Sequence, residues 1–208
     1  MLNRRSWMAG WILGAMALLA GPSHAAEEAP DALIKRVSGE VMAAVKSDPA
    51  IQAGDISRIV ALVDSKIMPN VDFSRMTASA VGRYWRQATP EQQKQLQEEF
   101  KTLLVRTYSG ALSAVKDQTV SYRPMRSAPE DTEVVVRSEV RGRGDTIQLD
   151  YRLAKTGDVW KIYDLNVLGV WLVDTYRSQF AQEIGAKGID GLIATLVQRN
   201  KMNQAKSG

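Results

Sequence analysis

The sequence predicts an α+β fold, an antiparallel sheet of about four strands packed against helices. Two changes of period carry that reading. Apolar residues recur at helical spacing up to about residue 115, then alternate in period two from Thr119 to Val167. After Gly169 the helical spacing returns. Helices, then strands, then helices place the helices on one face of the sheet.

The elements follow in order. A helix is expected from Asp31, with Leu33, Val37, Val41 and Val45 on one face, and Asp48-Pro49 ends it. Asp55 caps a second helix that runs to about Met68, where Pro69 stops it. Asp72 to Arg86 reads as helical but broken near Gly82. Thr89-Pro90-Glu91-Gln92 is the clearest start: Thr89 caps, Pro90 suits the first turn, and Gln92 completes a capping box. The helix that follows carries Leu96, Phe100, Leu103, Leu104, Tyr108, Ala111, Leu112 and Val115 in one stripe, to about Lys116.

Strands are expected over Thr119 to Met125, Thr132 to Arg141, Thr146 to Ala154 and Val159 to Val167. Val134, Val136 and Val140 share one face, as do Ile147, Leu149, Tyr151 and Leu153 on the next strand. The links Gly142-Arg143-Gly144 and Thr156-Gly157 are short enough to make these strands antiparallel neighbours. Trp160, Ile162, Tyr163 and Leu165 lose strict parity, which predicts a bulge near 162–163. A helix then carries Leu172, Val173, Tyr176, Phe180 and Ile184, with Gly185 and Gly188 as stops. A last helix spans roughly Asp190 to Lys201, and the tail from Asn203 is expected to fray.

Residues 1–25 have the three parts of an export signal: Arg4 and Arg5, an apolar stretch from Trp7 to Ala20, and Ser23-His24-Ala25 as a cleavage site. The apolar run is too short and too Gly-interrupted for a comfortable membrane span. Arg4-Arg5-Ser6-Trp7-Met8 fits both the loose twin-arginine pattern and an ordinary secretory signal, so the export route stays open. Cleavage after Ala25 removes 25 of 208 residues and leaves 183, expected as one domain over 26–208. The only histidine, His24, leaves with the signal, and the chain has no cysteine. Most nucleophilic, thiol and transition-metal chemistry is thereby excluded, no cofactor is expected, and a binding protein is favoured over an enzyme. Without Arg4 and Arg5, 25 basic residues face 23 acidic ones, a net charge of +2 and a poor footprint for nucleic acid.

Four stretches carry a resemblance. They are Ile67-Met68-Pro69-Asn70-Val71-Asp72-Phe73, followed by Met76; Gly82-Arg83-Tyr84-Trp85-Arg86-Gln87-Ala88-Thr89-Pro90-Glu91-Gln92, continuing to Phe100, Leu104, Tyr108 and Leu112; Trp160-Lys161-Ile162-Tyr163-Asp164, then Gly169-Val170 and Tyr176-Arg177-Ser178-Gln179-Phe180; and Gly188-Ile189-Asp190-Gly191-Leu192-Ile193. In this order, over about residues 33–197, the chain resembles the MlaC or toluene-tolerance family of periplasmic phospholipid-binding proteins. The resemblance implies a periplasmic carrier that holds phospholipid tails in an apolar pocket between sheet and helices. It implies passage of lipid between an outer-membrane lipoprotein complex and an inner-membrane ABC transporter complex, with no stable membrane insertion. Some relatives are linked to hopanoids, so the lipid class stays open.

A carrier must hide acyl chains, and one chain of roughly fifteen methylenes represents on the order of 12 kcal/mol of burial. From the residues alone, an apolar stripe facing an apolar sheet reads as core; the resemblance turns it towards a pocket. The candidate lipid-binding residues are Val81, Tyr84, Leu104, Tyr108, Leu112, Val134, Val136, Leu149, Tyr151, Leu165, Val173, Tyr176 and Phe180. Tyr163 joins these tyrosines as a residue of the mouth or wall, having an apolar ring and a polar tip. Arg137, Arg141 and Arg152 share a face with Glu139 and Asp150, which reads as a solvated ion-pair ladder. No catalytic or metal-binding residue is assigned. Two other classes remain open: an enzyme using Asp150 or Asp164 with a tyrosine, and an adaptor whose pocket is filled by its own side chains.

Overall fold

The computed structural model describes residues 28–115, 117–125, 128, 130–142 and 146–206. The export signal, its cleavage site and the tip of the 142–146 link lie outside the described residues. Helix α1, Pro30–Ser47, begins with proline in its first turn and an Asp31–Lys35 pair one turn apart. The Asp48 side chain accepts from Ala50 N–H and Ile51 N–H and starts the single turn α2, Pro49–Gln52. Asp55 caps α3, Ile56–Leu62. The expected continuation to Met68 differs: the chain widens into a π turn at Val63–Ile67 and tightens into a 3₁₀ turn at Met68–Asn70. Pro69 has no N–H to give to a regular helix.

Asp72 caps α4, Phe73–Val81. Gly82, at φ 65°, breaks it, as the sequence predicts, and a 3₁₀ segment follows over Gly82–Gln87. The capping box of Thr89 and Gln92 starts α5, Pro90–Ser113, which ends slightly short of the expected Lys116.

The sheet has strands β1 (Thr119–Tyr122), β2 (Glu133–Arg141), β3 (Ile147–Thr156), β4 (Val159–Val167) and β5 (Val170–Trp171), hydrogen-bonded in chain order. Every pairing is antiparallel, so the expected fold class holds, with a two-residue strand added at the edge. β1 stops before Pro124, which has no N–H for the ladder. The register moves from Arg152–Asp164 to Leu153–Ile162, leaving Tyr163 as the extra residue of a bulge at the predicted place.

Helix α6, Leu172–Lys206, is helical through Gly185, contrary to the expected stop there. Its one break is Gly188, at φ 72° and ψ −178°. The segment from Asn203 to Lys206 is helical rather than frayed. In this antiparallel α+β arrangement, α1 lies on β1 and β2, while α4 and α6 reach β4. Helix α5 runs along α6 and touches α4, α3 and α2, but among the described residues it has no comparable contact with any strand.

Candidate functional site

The apolar interior divides into three clusters. In the first, α4, the start of α5 and both halves of α6 bury Met76, Val81, Leu96, Phe100, Val173, Tyr176, Phe180 and Leu192, among others. Phe100 is its centre: its ring meets Tyr176 at 4.9 Å and Phe180 at 5.2 Å, both edge-on. In the second, Leu33, Ile34 and Val37 of α1 cover Val134, Val136, Tyr151 and Leu153 of the sheet. Their register, Val134 opposite Leu153 and Val136 opposite Tyr151, puts all four on one face. In the third, Val45, Ile51, Ile59, Leu62 and Val63 close the end formed by α1, α2 and α3.

Half-buried apolar side chains lie where these clusters meet. Val71 and Leu165 touch both the first and the second. Val41 touches the second and the third. Leu104 and Tyr108 of α5 rest on the first cluster, Leu112 on the third and Leu149 on the second. α5 thus presents half-buried apolar groups on a side where it does not meet the sheet closely. The sheet presents Leu149, Leu165 and Val167, also half-buried. Together they outline an apolar seam between helices and sheet.

The thirteen candidate residues therefore do not form one contact group. Val81, Val134, Val136, Tyr151, Val173, Tyr176 and Phe180 are buried in packed clusters. Tyr84, Leu104, Tyr108, Leu112, Leu149 and Leu165 are half-buried. Tyr163 does not join them. The bulge turns it towards Glu133, to which its hydroxyl donates at 3.0 Å, with the Arg75 guanidinium 3.9 Å from its ring centre. Sequence reasoning left out Val41 and Val71 as wall residues. Val41 was visible in the α1 stripe and Val71 in the Pro69–Phe73 stretch, but neither spacing says that a residue bridges two clusters.

Polar groups in the interior are few and specific. The Tyr151 hydroxyl has Ser38 and Ser138 as hydrogen-bond partners, and burial pushes its pKa up to about 12. The Ser138 hydroxyl itself donates to the Leu149 carbonyl at 2.7 Å. Burial also raises the Tyr108 and Tyr176 phenols.

The other sheet face is polar but is not the expected ladder. Arg123 and Arg141 both pair with Glu139, at 2.5 and 2.7 Å. Arg152 instead reaches Asp164 at 2.8 Å. Asp150 is buried and takes its hydrogen bond from Gln148, because its cross-strand neighbour Arg137 does not close on it. A cleft of about 210 Å³ on this side is lined by Arg123, Pro124, Met125, Val135 and Arg137, a lining too cationic for acyl chains. Asp150 and Asp164, the carboxylates considered for an enzyme, have no phenol among their hydrogen-bond partners. Among the described residues, no group of three or more His, Cys, Asp or Glu side chains is placed to hold a metal ion. Among them too, no helix is long and apolar enough to cross a membrane.

Comparison with known proteins agrees with this architecture. A structure of a phospholipid-binding protein from Ralstonia solanacearum, solved in complex with a phospholipid, is 47% identical with a TM-score of 0.82, covering 84% of this chain and 98% of that one. The toluene tolerance protein ttg2D of Pseudomonas putida is 26% identical over 167 residues, 79% of this chain and 77% of its own length. The intermembrane phospholipid transport system binding protein MlaC of Haemophilus influenzae is 18% identical over 202 residues, 95% and 94% of the two chains. The sequence profile of the MlaC protein family matches residues 35–198, from within α1 through the whole sheet and into the second part of α6, and the chain belongs to that family.

Proposed function

We propose that this protein is a periplasmic lipid carrier, one lipid-binding domain over 26–208, whose apolar seam takes up phospholipid acyl chains. The observation that carries the reading is the likeness to the Ralstonia protein, solved with a phospholipid bound, over 84% of this chain. The seam supplies what that ligand needs: half-buried apolar side chains on α5 and on the sheet, resting on the edges of packed clusters. Tyr84, Leu104, Tyr108, Leu112, Leu149 and Leu165 form the wall. Val81, Val134, Val136, Tyr151, Val173, Tyr176 and Phe180 back it and fix its shape.

The carrier receives and delivers lipid by docking, between an outer-membrane lipoprotein complex and an inner-membrane ABC transporter complex. Exchange between two sequestered states is near balance, so direction comes from the partners and no catalytic residue is required. The family membership and the transport system named for the Haemophilus relative support this step. Export with cleavage after Ala25 brings the chain to that compartment.

Native mass spectrometry of the purified mature protein, followed by solvent extraction, tests the reading. Diacyl phospholipid should leave with the protein. A hopanoid in the extract would change the ligand class, and an empty, compact chain would favour a ligand-free adaptor. Phospholipid hydrolysis by the mature chain, abolished by Asp150→Asn or Asp164→Asn, would favour an enzyme. N-terminal sequencing of periplasmic material should begin at Ala26.

A further inference from the structure

Helix α6 starts without a capping residue of its own. The residue before Leu172 is Trp171, whose side chain cannot accept a hydrogen bond from the first turn. The acceptor comes instead from the sheet. Asp164 Oδ1 accepts from Val173 N–H at 3.0 Å and from Leu165 N–H at 2.8 Å. Asp164 Oδ2 accepts from Arg152 Nη1 at 2.8 Å. Arg152 is itself held in place: its guanidinium lies 3.9 Å from the Trp171 ring centre and reaches Asp174 at 3.5 Å. One carboxylate, 0% exposed, thus ties β3, β4 and the first turn of α6 together.

That first turn carries Val173, and the next turns carry Tyr176 and Phe180, all three buried behind Leu104 and Tyr108. The arrangement is costly as well as specific. Burial is the largest influence on Asp164 and raises its pKa, outweighing the two backbone N–H groups and Arg152. A raised carboxyl pKa means that ionisation takes stability from the fold as pH rises through that value.

We propose that Asp164, held by Arg152, is a positioning residue that seats the start of α6 against the sheet and so sets how fast lipid leaves the seam. This rests on the carrier reading above. Asp164→Asn keeps one acceptor for Val173 N–H but turns an amide donor towards Arg152, so the first turn loses its fixed seat. Arg152→Gln, which leaves Asp164 in place, carries the test if the first variant does not fold. Arg152→Lys keeps the charge while losing the planar fork.

The test uses the full mature chain loaded with fluorescently labelled phosphatidylethanolamine. Transfer to phosphatidylcholine vesicles is timed well below each variant's melting point. Thr89→Ala, which weakens the distant start of α5, serves as the control for lost stability. Asp164→Asn and Arg152→Gln should release lipid about tenfold faster than wild type, the scale of one lost charge-assisted hydrogen bond. Arg152→Lys should restore part of the slow rate, and hydrogen exchange should quicken at 172–176 while β2 and β3 stay protected. Release no faster than in Thr89→Ala, or an equal loss of protection across the sheet, overturns the inference and leaves the carrier reading intact. A wild-type chain that takes up no labelled lipid overturns the carrier reading itself, and this inference with it.

Discussion

The two halves of α5 carry one apolar stripe and meet different fates. In the first half, Leu96 and Phe100 are 0% exposed, closed in by α4 and α6. In the second half, Leu104, Tyr108 and Leu112 stay half-buried and Ala111 is exposed. The helix, the spacing and the residue types are shared. What differs is the neighbour: α4 and α6 close on the first half, whereas Leu112 in the second half rests on the cluster built by α1, α2 and α3. An amphipathic pattern therefore says which side of a helix faces inward, not how completely the space behind that side is filled.

Phe100→Ala tests the closed half, with the largest effect. Removing a ring packed edge-on against two others should leave a cavity and cost about 3–5 kcal/mol, read from urea unfolding. A cost under about 1 kcal/mol would mean that the first half is as loosely filled as the second, and the contrast would fail.

Leu149→Trp tests the open side. It adds bulk without charge at a half-buried position of β3 that the proposal assigns to the seam wall. If residue 149 borders the seam, the fold should survive, with bound phospholipid clearly reduced in extracts. If it is core, overpacking should instead cost about 1–3 kcal/mol with lipid per folded molecule unchanged. Melting and lipid content, measured on one preparation, separate the two results.

Much of this was legible in the sequence where a local rule decides the outcome. The Thr89–Gln92 box, the break at Gly82 and the bulge opposite Arg152 each follow from a few neighbouring residues. The rest depended on partners distant in sequence. Asp164 reads from the sequence as a structural hydrogen-bonding group or a candidate enzyme carboxylate; its partners, Val173 N–H and Arg152, are nine and twelve residues away and no local spacing names them. Helical spacing could not tell Phe180, fully enclosed, from Leu104, half open, since both sit correctly on their stripes. Tyr163 lies away from the other tyrosines because the bulge, expected near 162–163, reverses the parity by which a strand's faces are counted. Of the two expected stops, Gly185 and Gly188, only Gly188 breaks the helix, where the backbone takes positive φ.

Thr89→Ala sharpens the contrast from a third position. It removes the side-chain acceptor for Gln92 N–H at the closed end of α5. Stability should fall by about 1 kcal/mol while lipid content per folded molecule stays at the wild-type level. Lipid lost in step with stability would show that the two halves of α5 act as one unit.

The smallest effect at neutral pH comes from Tyr151, which compares the closed α1 side of the sheet with the seam. Burial is the largest influence on its phenol and raises it from 10.0 to about 12, against a smaller downward pull from Ser38 and Ser138. A phenol with a raised pKa keeps its proton in the folded state after the unfolded chain has lost it. The stability it contributes is therefore fully present below pH 10.0 and is lost as pH rises towards about 12. Absorbance at 295 nm should show a tyrosine ionising near the unfolding transition in wild type and absent in Tyr151→Phe. The variant should also keep more of its stability between those two pH values. Because α1 rather than the seam encloses this ring, lipid extraction should leave that late step where it is. A step that moves down towards the ordinary tyrosine range when lipid is removed would place Tyr151 on the seam itself, and the division between closed and open sides would have to be redrawn around it.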